Sequence, residues 1–492
     1  MYNGAKLRSC LADVEAQISS LQSQLVRLQA DRANILGKLA AVVYPVFSLP
    51  NEVTAEIFDQ YVAWSPIQGC SPMILAAVCS LWRDVALSTP RVWTRLDPGH
   101  HFKYTPLERD EEDARDTRLV ELLRMWLPRA GALSVDIRIR LPDVDRPAYA
   151  EIFRLLAEHS ARLRVLDLFA TDGIEFPTGC LGPFPSLTTI SFSTHYDEIS
   201  IPSLLNAPQL REVSFRDSKF LGNSEWQSLL PWTQLTVLRG FRQDILAWLR
   251  ILEQTPNLEL LEFACDDELE ETIPTPPVLL PRLHTLILGD GTSQEILPFL
   301  NLPALRKFHL ETVIGLCQGI VESLVERSAC TPVDMYLSVE DLDDMGALRR
   351  CLQASPTIKS LEVNCRRLAD DDTFSVKELL GLMHGTSGSP LLPAPSSLSI
   401  SDCPTPVRLS WLVDMLAFRT GAGIMVRLES FKLSFFERHR EALNRVQDHQ
   451  SLDDVRGKLR EMCAAGLKVD IQPAVDWLNV EINAKTIEPI CL

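Results

Sequence analysis

"LPRLHTLIL" (residues 280–288) and "LPALRKFHL" (302–310) share one frame: a proline, then apolar residues two, five and seven positions on. "FPSLTTISF" (184–192), "APQLREVSF" (207–215), "TPNLELLEF" (255–263) and "SPTIKSLEV" (355–363) fit it as well. "SARLRVLDL" (160–168) and "WTQLTVLRG" (232–240) fit with the proline replaced, the second carrying Gly240 at the last apolar position; "TPVDMYLSV" (331–339) is a poorer copy. Successive frames begin 22 to 29 residues apart, from Ala161 to Pro356. Apolar residues at positions five and seven predict a short strand with one buried face. Connections such as "DILAWLRILEQ" (244–254) and "MGALRRCLQAS" (345–355) read as helices. One strand and one helix cannot bury their own apolar face, whereas stacked copies share a continuous core.

This period and pattern are similar to those of leucine-rich repeats. In that family an Asn or Cys usually follows the strand; here Thr171, His195, Ser218, Asp266, Gly291, Val313 and Arg366 stand there, so an irregular solenoid is expected over residues 119–492. Its first strand is expected in "ALSVDIRIRL" (132–141), where Leu133, Val135, Ile137 and Ile139 alternate. Later strands are expected in "SLSISD" (397–402), "RLESFKLSF" (427–435) and "LKVDI" (467–471), after a Gly, Ser and Pro-rich insertion at about 384–397 expected to be mobile. If positions five and seven face inward, positions four, six and eight face the concave surface. That face offers Phe169, Arg216, Arg239, Phe241, Glu262, Ile287, His309 and Glu362 to a protein substrate, together with Asp167, Glu212, Lys307 and Asn364. The alternative is a solvated face with no ligand.

At the other end of the chain, Leu7, Leu11, Val14, Ile18, Leu21, Leu25, Leu28, Ile35, Leu39 and Val42 follow steps of three and four, interrupted only by Arg32. The heptads predict a coiled-coil helix over residues 1–43. A narrow apolar stripe needs a partner, most simply a second copy through residues 7–43; the alternative is a helix folded back on its own chain.

Residues 44–96 change character. "PVFSLPNEVTAEIFDQYV" (45–62) reads as a helix opening at Pro50, and a second helix capped by Ser71 carries Ile74, Leu75, Val78, Cys79, Trp82 and Val85 on its apolar face. Leu49-Pro50, Glu52-Val53, Ile57-Phe58 and Val78-Cys79-x-x-Trp82 resemble the F-box, and "RDVALSTPRVW" (83–93) resembles its continuation in a class of fungal F-box proteins. The resemblance implies a small helical bundle that docks the Skp adaptor of a cullin-RING ubiquitin ligase. Leu49, Pro50, Val53, Ile57, Phe58, Val78, Cys79 and Trp82 would form that interface or the bundle beneath it, with Trp93 packing back under Trp82. The expected fold class is thus mixed α/β: coiled-coil helix, F-box bundle, a linker over 97–118, and a leucine-rich-repeat solenoid.

Composition narrows the function. A net charge of −17 without a Lys/Arg cluster argues against nucleic-acid binding. No apolar run is long enough for a membrane span and the N-terminus lacks a signal-peptide core, so a soluble cytoplasmic or nuclear protein is expected. Twelve cysteines, scattered without a C-x-x-C pair, read as small buried hydrophobes in a reducing compartment. His100-His101 has no third ligand in view, and the acidic runs at 265–272, 338–344 and 368–374 read as solubilising connections. No nucleotide-binding, zinc or nucleophile motif is present, so neither catalysis, metal nor cofactor is expected. The leading expectation is the substrate-recognition subunit of an SCF-type ligase; the alternative is a dimeric leucine-rich-repeat scaffold outside any ligase.

Overall fold

The computed structural model describes residues 4–40, 49–64, 71–98, 109–170, 173–176, 182–194, 199–200, 204–216, 229–242, 245–265, 276–291, 293–311, 319–338, 345–365, 380–381, 395–403, 409–420, 428–435 and 449–472. Val42, the His100-His101 pair, most of the 384–397 insertion and nearly all of the three acidic runs lie outside the described residues. The chain is mixed α/β and divides into two compact units, Met1–Val92 and Trp93–Leu492. Among the described residues no helix is long and apolar enough to cross a membrane.

The first unit is helical: α1 (Gly4–Ala40), α2 (Asn51–Trp64), α3 (Pro72–Val78) and α4 (Ser80–Ser88). Pro50 lies just before α2, its carbonyl accepting from the Thr54 N–H at 3.0 Å and the Thr54 hydroxyl at 3.2 Å. Ser71 caps α3 by accepting from the Met73 N–H, with Pro72 in the first turn. The single helix expected through Val85 is two. Cys79 adopts extended backbone (φ −158°, ψ 173°) and its Sγ accepts from the Trp82 N–H at 3.4 Å, so it ends α3 and caps α4. The Arg83 guanidinium donates to the Ala76 carbonyl at 2.9 Å across that break. Phe58, Val62, Leu75, Val85 and Ala86 close the core.

The second unit is built on a parallel sheet of fourteen strands in strict chain order. Its strands begin β1 (Arg95–Leu96), β2 (Val135–Arg140), β3 (Leu163–Ala170), β5 (Thr189–Thr194), β7 (Glu212–Arg216), β8 (Val237–Arg242) and β9 (Leu260–Cys265). They continue β11 (Thr285–Gly291), β13 (Lys307–Leu310), β14 (Asp334–Ser338), β15 (Ser360–Asn364), β16 (Ser397–Cys403), β17 (Ser430–Phe435) and β18 (Lys468–Gln472). Two small sheets pair β4 (Ile174–Glu175) with β6 (Ile199–Ser200) and β10 (Val278–Leu279) with β12 (Leu300–Asn301). Helices α5 (Arg109–Arg129), α6 (Pro147–Glu158), α7 (Ile245–Glu253), α8 (Ile320–Ser328), α9 (Met345–Ala354), α10 (Leu409–Thr420) and α11 (His449–Ala464) lie between strands.

The repeated proline has a local cause. In seven frames the residue before position zero accepts a hydrogen bond from the residue two past it: Phe184 from Leu187, Ala207 from Leu210, Trp232 from Leu235, Thr255 from Leu258, Leu280 from Leu283, Leu302 from Leu305, Ser355 from Ile358. Each is a four-residue turn whose second position suits proline, which presets φ and has no N–H to leave unpaired. The turn delivers the chain into the next strand with its apolar residues inward. Leu163, Leu166 and Leu168, Leu283, Leu286 and Leu288, and their equivalents in all eight good frames are at most 2% exposed, Gly240 apart.

Helical side chains complete this core, Trp248 of α7 packing on Phe263 with ring centres 4.9 Å apart.

Three boundaries differ from expectation. β1 precedes the strand taken as first, with Arg95 opposite Asp136 and Leu96 opposite Ile137, so the sheet begins inside the segment assigned to the F-box. Leu133, placed in the expected first strand, lies outside β2 and is exposed. The 97–118 linker is already helical from Arg109. Trp93, expected beneath Trp82, belongs to the second unit, edge-on to Trp126 at 4.9 Å with the Arg129 guanidinium 4.7 Å over its ring. Of the cysteines, Cys330, Cys351 and Cys365 are buried, burial pushing the Cys351 and Cys365 thiols up to about 12, whereas Cys10 is exposed.

Candidate interaction surfaces

In the first unit the residues singled out in the sequence separate into core and surface. Phe58 is 1% exposed and meets Trp82 edge-on, ring centres 5.0 Å apart, so it is core and not contact. Cys79 has a local duty as the α4 cap. Trp82 is half-buried, and its buried indole Nε1 has no hydrogen-bond partner among the described residues. Leu49 is half-buried and Pro50 exposed. Val53 and Ile57 on α2, and Ile74 and Val78 on α3, are exposed pairs at i,i+4 spacing, so each pair forms one apolar stripe. Met73, Leu81 and Leu87 are exposed as well, Met73 and Ile74 being neighbours that sequence reading did not select for contact. Arg91 pairs with Glu56 at 3.0 Å and Asp59 at 3.5 Å on α2, holding the segment after α4 to that helix while the apolar pairs stay in solvent. Exposed Val, Ile, Met and Leu are thus concentrated on a small helical unit.

In the second unit strand register sets the candidate face. One row crosses the sheet from Asp167 through Ser191, Ser214, Arg239, Glu262, Ile287, His309, Tyr336, Glu362, Ser399 and Lys432 to Asp470. Five of the expected recognition residues, Arg239, Glu262, Ile287, His309 and Glu362, therefore share this row, with Tyr336 between His309 and Glu362. Arg239 lies between two carboxylates, Glu262 at 3.0 Å and Glu212 at 3.4 Å. His309 stacks on Tyr336 with ring centres 3.8 Å apart and lies 3.5 Å from Glu311. Burial holds the His309 imidazole below its ordinary range against the opposing pull of Glu262, favouring the neutral ring at pH 7. Burial also raises the Tyr336 phenol, with Glu362 and Glu311 adding to the effect. Further along, the Ser401 hydroxyl donates to Glu362 at 3.2 Å and the Asn364 amide to Asp402 at 3.1 Å.

Phe169 lies one row away, its ring under the Arg140 guanidinium at 5.4 Å, and Arg216 follows in that row opposite Ser193, with its side chain outside the described residues. Phe241 falls out of the register of these rows, and its side chain lies outside the described residues. Gly240, at φ +74°, inserts an extra residue into β8, and the register then sets Phe241 opposite the core residue Phe263. Tyr336 was missed because the "TPVDMYLSV" copy runs two residues out of frame; Met335-Tyr336-Leu337 alternation within the strand was the available signal.

Among the described residues no group of His, Cys, Asp and Glu could hold a metal ion. A scan of the chain against models of known protein families finds no match, and a search of curated proteins finds none either.

Proposed function

We propose that this chain is the substrate-recognition subunit of an SCF-type cullin-RING ubiquitin ligase, non-catalytic itself, with an F-box-like first unit and a leucine-rich-repeat-like solenoid as its second. The observation that carries the reading is the pair of exposed apolar stripes, Val53 with Ile57 and Ile74 with Val78, over a closed core of Phe58, Leu75 and Val85. They fall within the segment whose Leu49-Pro50, Ile57-Phe58 and Val78-Cys79-x-x-Trp82 resemble the F-box. Contact with a Skp-type adaptor is carried by Leu49, Pro50, Val53, Ile57, Val78 and Trp82, while Phe58 and Cys79 hold the bundle in shape. Sequence frames at 22- to 29-residue spacing and a sheet in chain order support the leucine-rich-repeat reading.

The outward row is the substrate face. Its alternating charges, Arg239 against Glu262 and Glu362 toward Lys432, and the His309–Tyr336 stack suit a protein ligand. Catalysis is by proximity: the chain holds a protein target near a ubiquitin-charged carrier that the ligase supplies. The experiment is co-purification of the full chain with a Skp-type adaptor, wild type against Leu49→Ala with Pro50→Ala. The reading expects the adaptor with the wild type and its loss from the variant; equal recovery from both overturns it.

A further inference from the structure

The N-terminal helix carries a surface that adaptor docking does not use. Its seam residues Leu7, Leu11, Val14, Ile18, Leu21, Leu25, Leu28 and Ile35 are 49–64% exposed, although they are the most apolar stripe in the first forty residues. At about 1.5 Å per residue α1 presents this stripe over some 55 Å. We infer that α1 pairs with the α1 of a second copy of this chain, parallel and in register.

The heptads assign Leu11, Ile18, Leu25 and Arg32 to one core position (a) and Leu7, Val14, Leu21, Leu28 and Ile35 to the other (d). Three features select a second copy in this orientation. Apolar a and d layers meet their own kind only when the helices run parallel without stagger. The flanking positions that face each other across such a pair are Cys10 with Glu15, Gln17 with Gln22, Gln24 with Gln29 and Asp31 with Leu36 of the second copy, so the only like charges self-pairing brings together are the two Arg32 of one layer. Arg32, the one charged residue in the seam, is preceded by Asp31. In a parallel, in-register pair the residue before each a position borders the opposite a side chain, so each Arg32 lies beside the second copy's Asp31. An antiparallel pair instead sets Arg32 against an apolar d residue and away from the second copy's Asp31. A polar a residue of this kind fixes register and a two-stranded state at some cost in stability. The consequence is a receptor with two first units and two sheets per particle; the inference stands whether or not the adaptor docks.

The test is sedimentation of the full chain, with disulfide trapping for direction. The wild type is expected at twice the 55.2 kDa of one chain, and Leu21→Asp with Leu28→Asp at the single-chain mass with unchanged circular dichroism outside the lost α1 signal. A wild type at single-chain mass at tens of micromolar, or a variant that keeps the double mass, overturns the inference. In a Cys10→Ser background, Leu11→Cys is expected to give a covalent dimer on oxidation, beyond any given by Cys10→Ser alone; no excess overturns the parallel register. Asp31→Lys is expected to weaken self-association about tenfold, from like charge at two symmetric contacts, and Asp31→Lys with Arg32→Asp to restore it. An unchanged association in Asp31→Lys overturns the charge pairing.

Discussion

Trp93→Ala is expected to open the start of the sheet, and the structure sets the size of the effect. Trp93 is 1% exposed, meets Trp126 edge-on at 4.9 Å and lies under Arg129 at 4.7 Å. Removing a buried indole costs about 3–5 kcal/mol from lost burial and the cavity left behind. The aromatic pair adds about 0.5–1.5 kcal/mol and the cation–π contact about 0.5–1 kcal/mol. A local loss of about 4–7.5 kcal/mol follows, equivalent to faster amide exchange by roughly three to five orders of magnitude. Because each strand pairs only with its chain neighbours, the effect should concentrate in α5, β1 and β2 and fade beyond β3. Hydrogen exchange by mass spectrometry on peptides covering 109–140 measures it, with peptides over 360–364 as the internal reference. Trp93→Phe should retain most protection, losing about 1–2 kcal/mol. A Trp93→Ala chain whose 109–140 peptides exchange less than tenfold faster, or one in which distant strands open equally, would refute this account of the packing.

Ile57→Ala with Val78→Ala removes half-exposed side chains, so it should change the unfolding midpoint by at most ~0.5 kcal/mol-equivalent while weakening adaptor binding roughly thirtyfold; paired calorimetry and thermal melts separate the two. Gly240→Ala should destabilise by about 1–2 kcal/mol, because an alanine is strained at φ +74°. By contrast Gly37→Ala, in an open interior site of α1, should stabilise that helix by up to ~1 kcal/mol; urea midpoints give both signs. The Arg154 and Arg124 guanidiniums hold the Glu151 carboxyl down at about 2. Since its folded pKa lies below the unfolded one, its contribution is present above pH 4.5 and fades as pH falls toward 2. Glu151→Gln should therefore be less stable than wild type at pH 7 and equal to it near pH 2, as denaturant midpoints at the two pH values will report.

Much of the second unit was legible because its signal is local. A proline-favouring turn followed by alternating apolar residues states where a strand starts and which face is buried, and the strands at Ser397–Cys403, Ser430–Phe435 and Lys468–Gln472 fall where alternation predicts them. The failures have local causes too. One positive-φ glycine shifted the parity of β8 and set Phe241 opposite Phe263, and Gly240 inside the strand pattern was the available signal for that bulge. β1 is two residues long and its pairing is set wholly by β2, so no periodicity could mark it. Cys79 interrupted a continuous apolar pattern because extended backbone and a thiol cap suffice to split a helix without Pro or Gly. In the first unit the sequence identified which residues are apolar but could not sort Phe58 from Ile57, adjacent positions of which only one faces the core.

The central claim is that the exposed apolar helices of the first unit hold a Skp-type adaptor. Isothermal titration of the intact chain with the purified adaptor tests it most directly. Saturable binding at one adaptor per chain, with Kd of about 1 µM or tighter, is the predicted result. No binding by a chain whose circular dichroism shows it folded would contradict it.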